Sequence, residues 1–345
     1  MEQKKILVTG GLGFIGSHTV VCLHEAGYTP VIVDNLHNSR IDVLSAIAQL
    51  IGYTPEFIHG DVNDKSLMTE IFAIHNPDAV IHFAAHKAVG ESVDQPLMYY
   101  NNNVVGLVSL LEAMKQADCK KLVFSSSCTV YGEPEQVPVK ESTPTRPAAS
   151  PYGATKQMGE VILKDNKWFE VQCLRYFNPV GAHESSLIGE LPLGVPNNLI
   201  PYLTQTVAGI RPQLTVHGGD YNTPDGTCIR DYIHVMDLSD AHVAAIGRLF
   251  SNPVEQKVEM GDPSFGNFEV FNIGTGHGYS VLEVISAFES ATGEKVPHII
   301  GPRRNGDVVA VWAETTKVNE VLGWKASRNL ETMMRDAWNW QKATS

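Results

Sequence analysis

The sequence has few cysteines and no paired cysteine motif. Its five cysteines are odd in number and widely scattered, which argues against a disulfide framework or a zinc site and is typical of reduced thiols in a cytosol. The apolar stretch near the N-terminus is broken by glycines and lacks a small-residue cleavage site, unlike a signal peptide. No apolar run approaches the ~20 residues that span a bilayer. The sequence therefore predicts a cytoplasmic protein with no metal site and no membrane contact.

Basic residues are also scarce. Lys and Arg number 26 against 38 Asp and Glu, so the formal net charge is -12. Because no basic run or Lys/Arg-rich face is present, nucleic acid and anionic membranes are poor candidate partners. An anionic ligand would need a few locally placed cations. The length of 345 residues predicts about two domains, and the 43% of hydrophobic residues suffice for a sizeable core.

Short apolar, β-branched runs alternate with longer helical patterns in the first half of the chain. Several runs are apolar on successive residues, as expected of strands buried on both faces of a parallel sheet. The alternation predicts an α/β fold with a doubly wound, Rossmann-type parallel sheet. The candidate strands are Lys5–Val8, Pro30–Val33, Glu56–His59, Ala79–Phe83, Lys121–Ser125 and Val171–Arg175, and Phe14–Ala26 and Val104–Gln116 are candidate helices.

The regular alternation ends after about Phe177, where prolines punctuate an irregular stretch. We therefore predict a first domain over residues 1–178 and a smaller C-terminal α/β substrate lobe over 179–345. Tyr232–Val235 has the apolar pattern of another buried strand. The segment near 232–247 is thus a candidate to return to the first domain and its sheet.

A glycine-rich loop follows the first predicted strand and opens a helix. It places Gly10, Gly13 and Gly16 where backbone N–H groups can approach a pyrophosphate at the positive end of that helix. Asp34 ends the second predicted strand, where a carboxylate would accept hydrogen bonds from an adenosine ribose. A carboxylate there repels a 2′-phosphate, so this order of elements predicts NAD rather than NADP. The structural alternative is a strand–helix turn that needs a positive φ.

Tyr152 and Lys156 form the candidate proton-transfer pair. They are four residues apart at the start of a predicted helix and so share one face. A phenol has a pKa near 10 and becomes a base at neutral pH only if nearby positive charges, such as a Lys ammonium and a nicotinamide ring, stabilise the phenolate. Ser127 follows the fifth predicted strand and offers a hydroxyl to the reacting alcohol. As an isolated pattern, Tyr-x-x-x-Lys is more often an exposed aromatic and a solvated lysine.

The glycine spacing G-x-x-G-x-x-G, together with Ser127, Tyr152 and Lys156, resembles the extended short-chain dehydrogenase/reductase family. Within it, four further segments resemble the UDP-glucose 4-epimerases, and the resemblance runs from residue 5 to about residue 341. Gly60-Asp61-Val62 and Asn101–Val104 also match family motifs. The four segments are Phe83–Ser92, Arg175–Ala182, Arg230–Asp237 and Gly301–Asp307.

The resemblance implies roles for individual residues. Ser127, Tyr152 and Lys156 would be catalytic, and the protein would be a homodimer. The residues implied at NAD are Gly10, Gly13, Phe14, Ile15, Gly16, Asp34, Asn35, Asn38, Ser39, Asp61, Val62, Phe83, Ala84, Ala85, Lys87, Asn102, Tyr152, Lys156 and Phe177. Those implied at the UDP-hexose are Lys87, Ser127, Thr129, Tyr152, Asn178, Asn198, Leu199, Thr215, His217, Arg230, Arg304, Asp307 and Val311. His217 departs from the family, which often has an aromatic residue beside uracil.

The activity that the resemblance implies is reversible inversion at C4 of UDP-glucose and UDP-galactose, in galactose metabolism. C4 would pass a hydride to NAD, and the 4-keto sugar would turn and be reduced on its other face by enzyme-bound NADH. A 4,6-dehydratase is disfavoured because Ser127-Cys128-Thr129 lacks the Asp-Glu pair that relatives with that activity carry. A catalytically silent, dinucleotide-sensing regulator would lack the Tyr or the Lys, and both are present.

Two assignments have structural alternatives. Arg230 and Arg304 suit a diphosphate through their fork geometry, but surface ion pairing, for example of Arg304 with Asp307, is as probable from the residues alone. At the Val311 position a bulky tyrosine in similar epimerases restricts the room for a 2-acetamido group. Valine predicts a pocket that also admits UDP-N-acetylhexosamines, unless Val311 simply packs in a strand.

Overall fold

A seven-stranded parallel sheet forms the centre of the molecule. The computed structural model describes residues 3–251, 267–304 and 307–345. The strand order is β11-β6-β5-β4-β1-β2-β3, and every neighbouring pair is parallel. The strands are β1 (Lys5–Thr9), β2 (Thr29–Asp34), β3 (Glu56–His59), β4 (Ala79–His82), β5 (Lys121–Ser127), β6 (Glu170–Tyr176) and β11 (Phe268–Ile273).

The structure describes twelve α-helices, some of which cover the two faces of this sheet while others pack in the C-terminal part of the chain. They are α1 (Phe14–Glu25), α2 (Asp42–Ile51), α3 (Lys65–His75), α4 (Val89–Asp94), α5 (Pro96–Tyr99), α6 (Gly106–Gln116), α7 (Pro151–Asp165), α8 (Leu199–Val207), α9 (Val235–Ser251), α10 (Val281–Thr292), α11 (Thr316–Leu322) and α12 (Leu330–Thr344). Within the central strands, Ile6 and Val8 pack in one core cluster, and Leu7 packs in a second cluster on the opposite face. Burial on both faces explains why these strands are continuously apolar. The predicted doubly wound, Rossmann-type α/β fold is confirmed.

The C-terminal part of the chain adds three small sheets with a core of their own. Strand β10 pairs with β7, β9 lies between β12 and β14, and β13 pairs with β8. A separate cluster that includes Leu203, Phe288 and Met333 packs α8, α10 and α12 together. The strands are β7 (Asn178–Val180), β8 (Leu214–His217), β9 (Ile229–Arg230), β10 (Tyr232–His234), β12 (Tyr279–Ser280), β13 (His298–Gly301) and β14 (Ala310–Val311).

In the segment near 232–247 the helix packs against the central sheet layer, and the strand does not join the central sheet. Strand β10 pairs with β7 in a separate two-stranded sheet, so the expectation that Tyr232–Val235 rejoins the central sheet is wrong. Helix α9 packs on α1, and Leu238, Ala241 and Ile246 belong to the core cluster of that face. Strand β11, from the second half, extends the central sheet beside β6. The division at residue 178 stays a prediction.

None of the helices described in the three ranges is both long and apolar enough to cross a bilayer.

Candidate active site

A cleft of about 770 Å³ opens at the carboxyl ends of the central strands. Strands β1 and β4 are neighbours, and the chain leaves them towards opposite halves of the sheet. Such a topological switch point is where doubly wound sheets bind their ligands. Asp34 at the end of β2, Phe83 after β4 and Ser125 near the end of β5 all line this cleft. The fold thus gathers residues that are distant in the sequence at one edge.

The loop between β1 and α1 approaches its neighbours too closely for side chains. Gly10 has a φ of +72°, and a Cβ atom there would lie 2.8 Å from the backbone N of Ala84. A Cβ atom on Gly16 would collide with the carbonyl oxygen of Gly10. Gly13 is the N-cap of α1 and provides no side-chain cap, so the first N–H groups of the helix face the cleft without a capping side chain. This cradle fits the pyrophosphate of a dinucleotide.

Asp34 holds the second side of the cradle. One carboxylate oxygen accepts the N–H of Leu12 at 3.0 Å, and the other accepts the N–H of Leu36 at 2.9 Å and the hydroxyl of Ser39 at 2.7 Å. These bonds fix the carboxylate beside the glycine loop and leave lone pairs for ribose hydroxyls. The residues present therefore fit NAD.

Helix α7 carries the candidate catalytic pair into the cleft. Ser150 caps the helix by accepting the N–H of Gly153 at 3.2 Å, and Pro151 occupies the first turn. Tyr152 is 8% and Lys156 5% exposed, and both line the cleft. Lys156 Nζ donates to the carbonyl oxygen of Ser125 at 2.6 Å and lies 6.0 Å from the Tyr152 ring centroid. The structure places the pair as predicted, within one buried site.

Burial disfavours the phenolate form of Tyr152. Burial raises the pKa of Tyr152 above that of a free phenol, nearby Tyr176 adds to this effect, and a hydrogen bond with Ser127 opposes it. Burial also lowers the pKa of Lys156 to about 8, against the attraction of Cys173 and Glu160. The expected base therefore needs a further positive charge in the cleft, because Lys156 alone does not offset the burial of Tyr152.

The turn after β5 carries two further hydroxyls predicted at the substrate, those of Ser127 and Thr129, and neither residue lines the cleft. Ser127 ends the strand, and its Oγ accepts the N–H of Thr129 at 3.2 Å, which starts the 3₁₀ turn Cys128–Tyr131. Among the described residues, Thr129 Oγ1 is buried and has no hydrogen-bond partner. A buried hydroxyl without a partner is uncommon and suits a ligand group that completes its bonding.

A π-helical turn over Tyr100–Val105 supports the site from behind. Its Asn103 accepts the N–H of His86 at 2.8 Å and donates both to the His86 carbonyl and to Thr155 Oγ1, each at 3.0 Å. Asn103 thus ties the loop after β4 to helix α7. The widened turn is typical of functional sites, where it re-aims a side chain that a regular α-helix would misplace.

Most of the predicted cofactor residues line the one cleft. They are Gly10, Gly13, Phe14, Ile15, Gly16, Asp34, Asn35, Asn38, Ser39, Val62, Phe83, Ala84, Ala85, Lys87, Asn102, Tyr152 and Lys156. Asp61 lies behind the cleft wall, where it accepts a hydrogen bond from Asn35 at 2.9 Å. Phe177 is buried in a small cluster with Val311 and Val130. Individual contacts with NAD stay predictions.

Lys87 and Asn198, predicted at the UDP-hexose, meet in the cleft through a glutamate. Lys87 Nζ and Asn198 Nδ2 both donate to Glu190 Oε1 at 3.1 Å. The backbone carbonyl of Glu190 accepts the indole N–H of Trp340 at 2.9 Å. Helix α12 thus fixes the segment that carries Glu190 beside the catalytic pair.

The other predicted substrate residues gather in the small C-terminal sheets. Val311 is the register partner of Arg230, and the Arg230 guanidinium lies 3.8 Å from the Asp307 carboxylate. Arg304 donates to Asp307 at 2.8 and 3.2 Å, so the ion pair considered as the alternative for Arg304 does form. Asn178 belongs to β7, Leu199 begins α8, and Thr215 and the exposed His217 lie on β8. None of these eight residues lines the cleft described above, and their roles stay predictions.

Sequence reasoning missed several cleft residues. Ser125, Tyr176, Glu190 and Trp340 all line the cleft. The position of Ser125 two residues before Ser127, on the same side of a strand, could have indicated it. Nothing in the local sequence indicates Glu190 or Trp340, since only tertiary packing brings them to the site.

Comparisons with known proteins agree with this geometry. A family model described as GDP-mannose 4,6 dehydratase matches residues 7–337. A UDP-glucose 4-epimerase of Yersinia pestis is 53% identical over 340 residues, which cover 97% of both chains. A solved UDP-glucose-4-epimerase of Stenotrophomonas maltophila, with bound NAD and formylated UDP-arabinopyranose, is 45% identical and superposes with a TM-score of 0.93 over 99% of both chains.

A second solved structure, the Bifidobacterium longum UDP-glucose 4-epimerase in complex with NAD+ and UDP, is 46% identical, with a TM-score of 0.92 over 99% of this chain and 98% of that one. The likeness thus extends over nearly the whole chain. The chain belongs to the UDP-glucose 4-epimerases of the extended short-chain dehydrogenase/reductase family.

Proposed function

We propose that this protein is an NAD-dependent isomerase that interconverts UDP-glucose and UDP-galactose by inverting C4 of the hexose. The observation that carries the proposal is the buried Tyr152–Lys156 pair beside a glycine cradle and Asp34, in one cleft. Relatives crystallised with NAD, UDP or a UDP-sugar support the same ligands here. The product of one direction is the substrate of the other, as expected of an enzyme with no net redox change.

NAD, when bound, supplies a reversible two-electron acceptor for the carbon that is inverted. The glycine cradle and the N-terminus of α1 would bind its pyrophosphate, and Asp34 would accept hydrogen bonds from the ribose hydroxyls. The Asp34 carboxylate, already bonded to Leu12 and Ser39, repels a 2′-phosphate. The protein thereby selects NAD over NADP.

Tyr152 takes the proton of the sugar 4-hydroxyl and returns it after the sugar has turned. Ser127 orients that hydroxyl, and the Lys156 ammonium stabilises the charge that develops on the phenol oxygen. Burial in a cleft with little water strengthens these electrostatic effects. Proton transfer by such a positioned group typically contributes about 10² to 10⁴ in rate.

The 4-keto sugar must turn while its diphosphate stays bound. Arg230 and Arg304, which both contact Asp307, are the proposed ligands of the diphosphate oxygens. Lys87 and Asn198, joined by Glu190, line the same cleft as Tyr152 and Lys156. Strong binding of UDP and few contacts to the hexose allow both faces of the sugar to be presented in turn.

The family model named for a 4,6-dehydratase makes dehydration the second candidate. That reaction needs an acid and a base near C5 and C6 of the sugar. After Ser127 this chain has Cys128 and Thr129, and burial raises the pKa of Cys128 to about 11. Neither residue supplies a carboxylate, so inversion at C4 is the better supported reaction.

UDP-N-acetylglucosamine and UDP-N-acetylgalactosamine are proposed as additional substrates. Val311 is 5% exposed and packs with Val130, Val139 and Phe177, close to the turn that follows Ser127. A valine leaves more room there for a 2-acetamido group than a tyrosine would.

The function is tested with protein purified without added nucleotide. Incubation with UDP-galactose should yield UDP-glucose with no NAD supplied, and acid extraction of the protein should release close to one NAD per chain. The cofactor should stay bound because each cycle regenerates it. Formation of a 4-keto-6-deoxy sugar would indicate the dehydratase. Extracted NADP, or turnover only with freely exchanging NAD, would contradict the role of Asp34.

A homodimer is proposed as the working form, with its interface on helices α4, α5 and α7. These helices and the π-helical turn pack on one another and expose several large apolar side chains. A group of this kind on neighbouring elements is typical of an interaction surface. The residues are Val89, Val93, Leu97, Val105, Met158 and Val161, of which Leu97 is 81% exposed.

A cytoplasmic location remains a prediction from cysteine usage.

Sedimentation of Leu97→Asp with Val161→Asp tests this interface. We expect a dimeric wild-type protein and a monomeric double variant, because burying two carboxylates in an apolar contact is unfavourable. Ile74→Asp on α3, also well exposed, is the matched control and should stay dimeric. A monomeric wild type, or a control that dissociates equally, would reject the interface.

A further inference from the structure

Glu160 is a buried carboxylate that the proposed reaction does not use. It lies on α7, 8% exposed, and accepts Arg175 Nε at 2.9 Å and Arg175 Nη2 at 2.5 Å. Ser126 Oγ donates to it at 2.6 Å. Buried ion pairs contribute little net stability compared with an apolar core of the same volume. The burial of the Glu160–Arg175 ion pair therefore calls for a functional reason.

Glu160 continues the face of α7 that carries the catalytic pair. Tyr152, Lys156 and Glu160 are spaced by four residues and so project to the same side. On the facing strand β5, Lys156 donates to the Ser125 carbonyl and Ser126 donates to Glu160. Two successive residues of β5 are thus bonded to two successive turns of the helix.

Arg175 anchors this arrangement to the next strand. It is the register partner of Ser126, on β6. Its guanidinium also donates to the carbonyl of Glu141 at 3.3 Å and lies 4.9 Å from the Tyr131 ring centroid. The bidentate geometry allows Glu160 little freedom along the helix axis. This rigid attachment fixes the position of α7 along its axis relative to the ends of β5 and β6.

We propose that Glu160 is a positioning residue for the reaction, whose carboxylate, bonded to Ser126 and Arg175, holds α7 so that Lys156 and Tyr152 stay beside the end of β5. The proposal rests on the proposed epimerase function, in which the ammonium stabilises the Tyr152 oxygen. Glu160 would act only through Lys156 and the helix, with no contact to the sugar.

The charges around Lys156 determine the sign of the effect. Burial lowers the pKa of Lys156 to about 8, and Cys173 and Glu160 oppose that shift. Removing the Glu160 charge should therefore lower this pKa further, so that the ammonium is lost at a lower pH. Other titratable or charged groups also lie around Lys156 and Glu160. They are His82 on β4, Cys173, Arg175 and Tyr176 on β6, Tyr152 on α7, and Tyr99 on α5.

Glu160→Gln and Arg175→Gln make a matched pair of variants, since each breaks the same ion pair and they alter the local charge in opposite directions. The Lys156 titration is followed by NMR of ¹³C-labelled lysine in the protein as purified, with the signal assigned through Lys156→Met. The pH profile of UDP-galactose turnover is the second readout. We expect Glu160→Gln to move the Lys156 midpoint, and the alkaline limb of turnover, down by about one pH unit. Arg175→Gln should leave the midpoint in place or raise it.

Equal downward shifts in both variants, or no shift in either, would overturn the proposal and leave Glu160 a structural residue. Should Glu160→Gln fail to fold, Glu160→Gln combined with Arg175→Met leaves no unpaired charge, and its Lys156 midpoint should lie below that of Arg175→Met alone. If the wild type turns over no UDP-sugar, the proposed function fails. The Lys156 midpoint still decides the role of Glu160, because it needs no turnover.

Discussion

Tyr152→Phe should lose about 10² to 10⁴ of the turnover number while still binding NAD and UDP. The substitution removes only the phenol hydroxyl, which is the proposed proton carrier. The ring stays in its buried place beside Lys156, and the glycine cradle and Asp34 are untouched. Steady-state turnover of UDP-galactose measures the loss. Acid extraction of NAD and calorimetry with UDP measure binding.

Tyr176→Phe is the matched control for this experiment. Tyr176 lines the same cleft, and its hydroxyl bonds to Ser125, while burial raises its pKa to about 12. Losing a hydroxyl at this place should reduce turnover by less than about tenfold, because that group is not proposed to carry the proton. Near wild-type turnover in Tyr152→Phe would make Tyr152 a packing residue. Equal losses in the two variants would point to disturbed packing and not to proton transfer.

Val311→Tyr should abolish the turnover of UDP-N-acetylglucosamine and UDP-N-acetylgalactosamine that we expect of the wild type, and should spare UDP-galactose. The added ring and hydroxyl would extend from β14, where Val311 pairs with Arg230 and packs with Phe177. Steric exclusion needs bulk, and valine has little. Turnover numbers with the N-acetylated and plain UDP-sugars give the ratio that checks the prediction.

Val311→Ala is the control, and it should leave that ratio close to the wild-type value. Overpacking a buried position typically costs about 1–3 kcal/mol, so the unfolding midpoint of Val311→Tyr is measured alongside. A wild type that turns over neither N-acetylated sugar would show that a neighbouring residue closes the pocket. A tyrosine variant with an unchanged ratio would show that Val311 only packs in its strand.

The central sheet was predictable because its information is local. A strand buried on both faces must be apolar at successive residues, and β1, β4 and β5 show that pattern. The glycine loop and Asp34 stand at fixed distances from those strands, so their meeting at one edge follows from the fold class. The pair of Tyr152 and Lys156 is equally local, since both lie within two turns of one helix.

The second half was less predictable, because its strands are short and their pairing depends on distant segments. Strand β10 has three residues, and its apolar pattern could not distinguish pairing with β7 from pairing with the central sheet. Strand β11 is separated from β6 by some ninety residues of chain, and no local pattern identifies its partner. The pairing of edge strands and small sheets depends on which apolar surface the rest of the fold leaves exposed. That surface exists only in the packed molecule.

The fold class, the glycine loop and the candidate pair Tyr152 and Lys156 could be predicted from the sequence, because helix and strand periodicity and motif spacing are properties of short segments. The contacts that join Lys87 to Asn198 through Glu190, and Arg175 to Glu160, arise only in the folded molecule. These contacts join residues whose separation in the chain bears no relation to their distance in space. Burial sets their electrostatic effect, and burial exists only once the layers have packed.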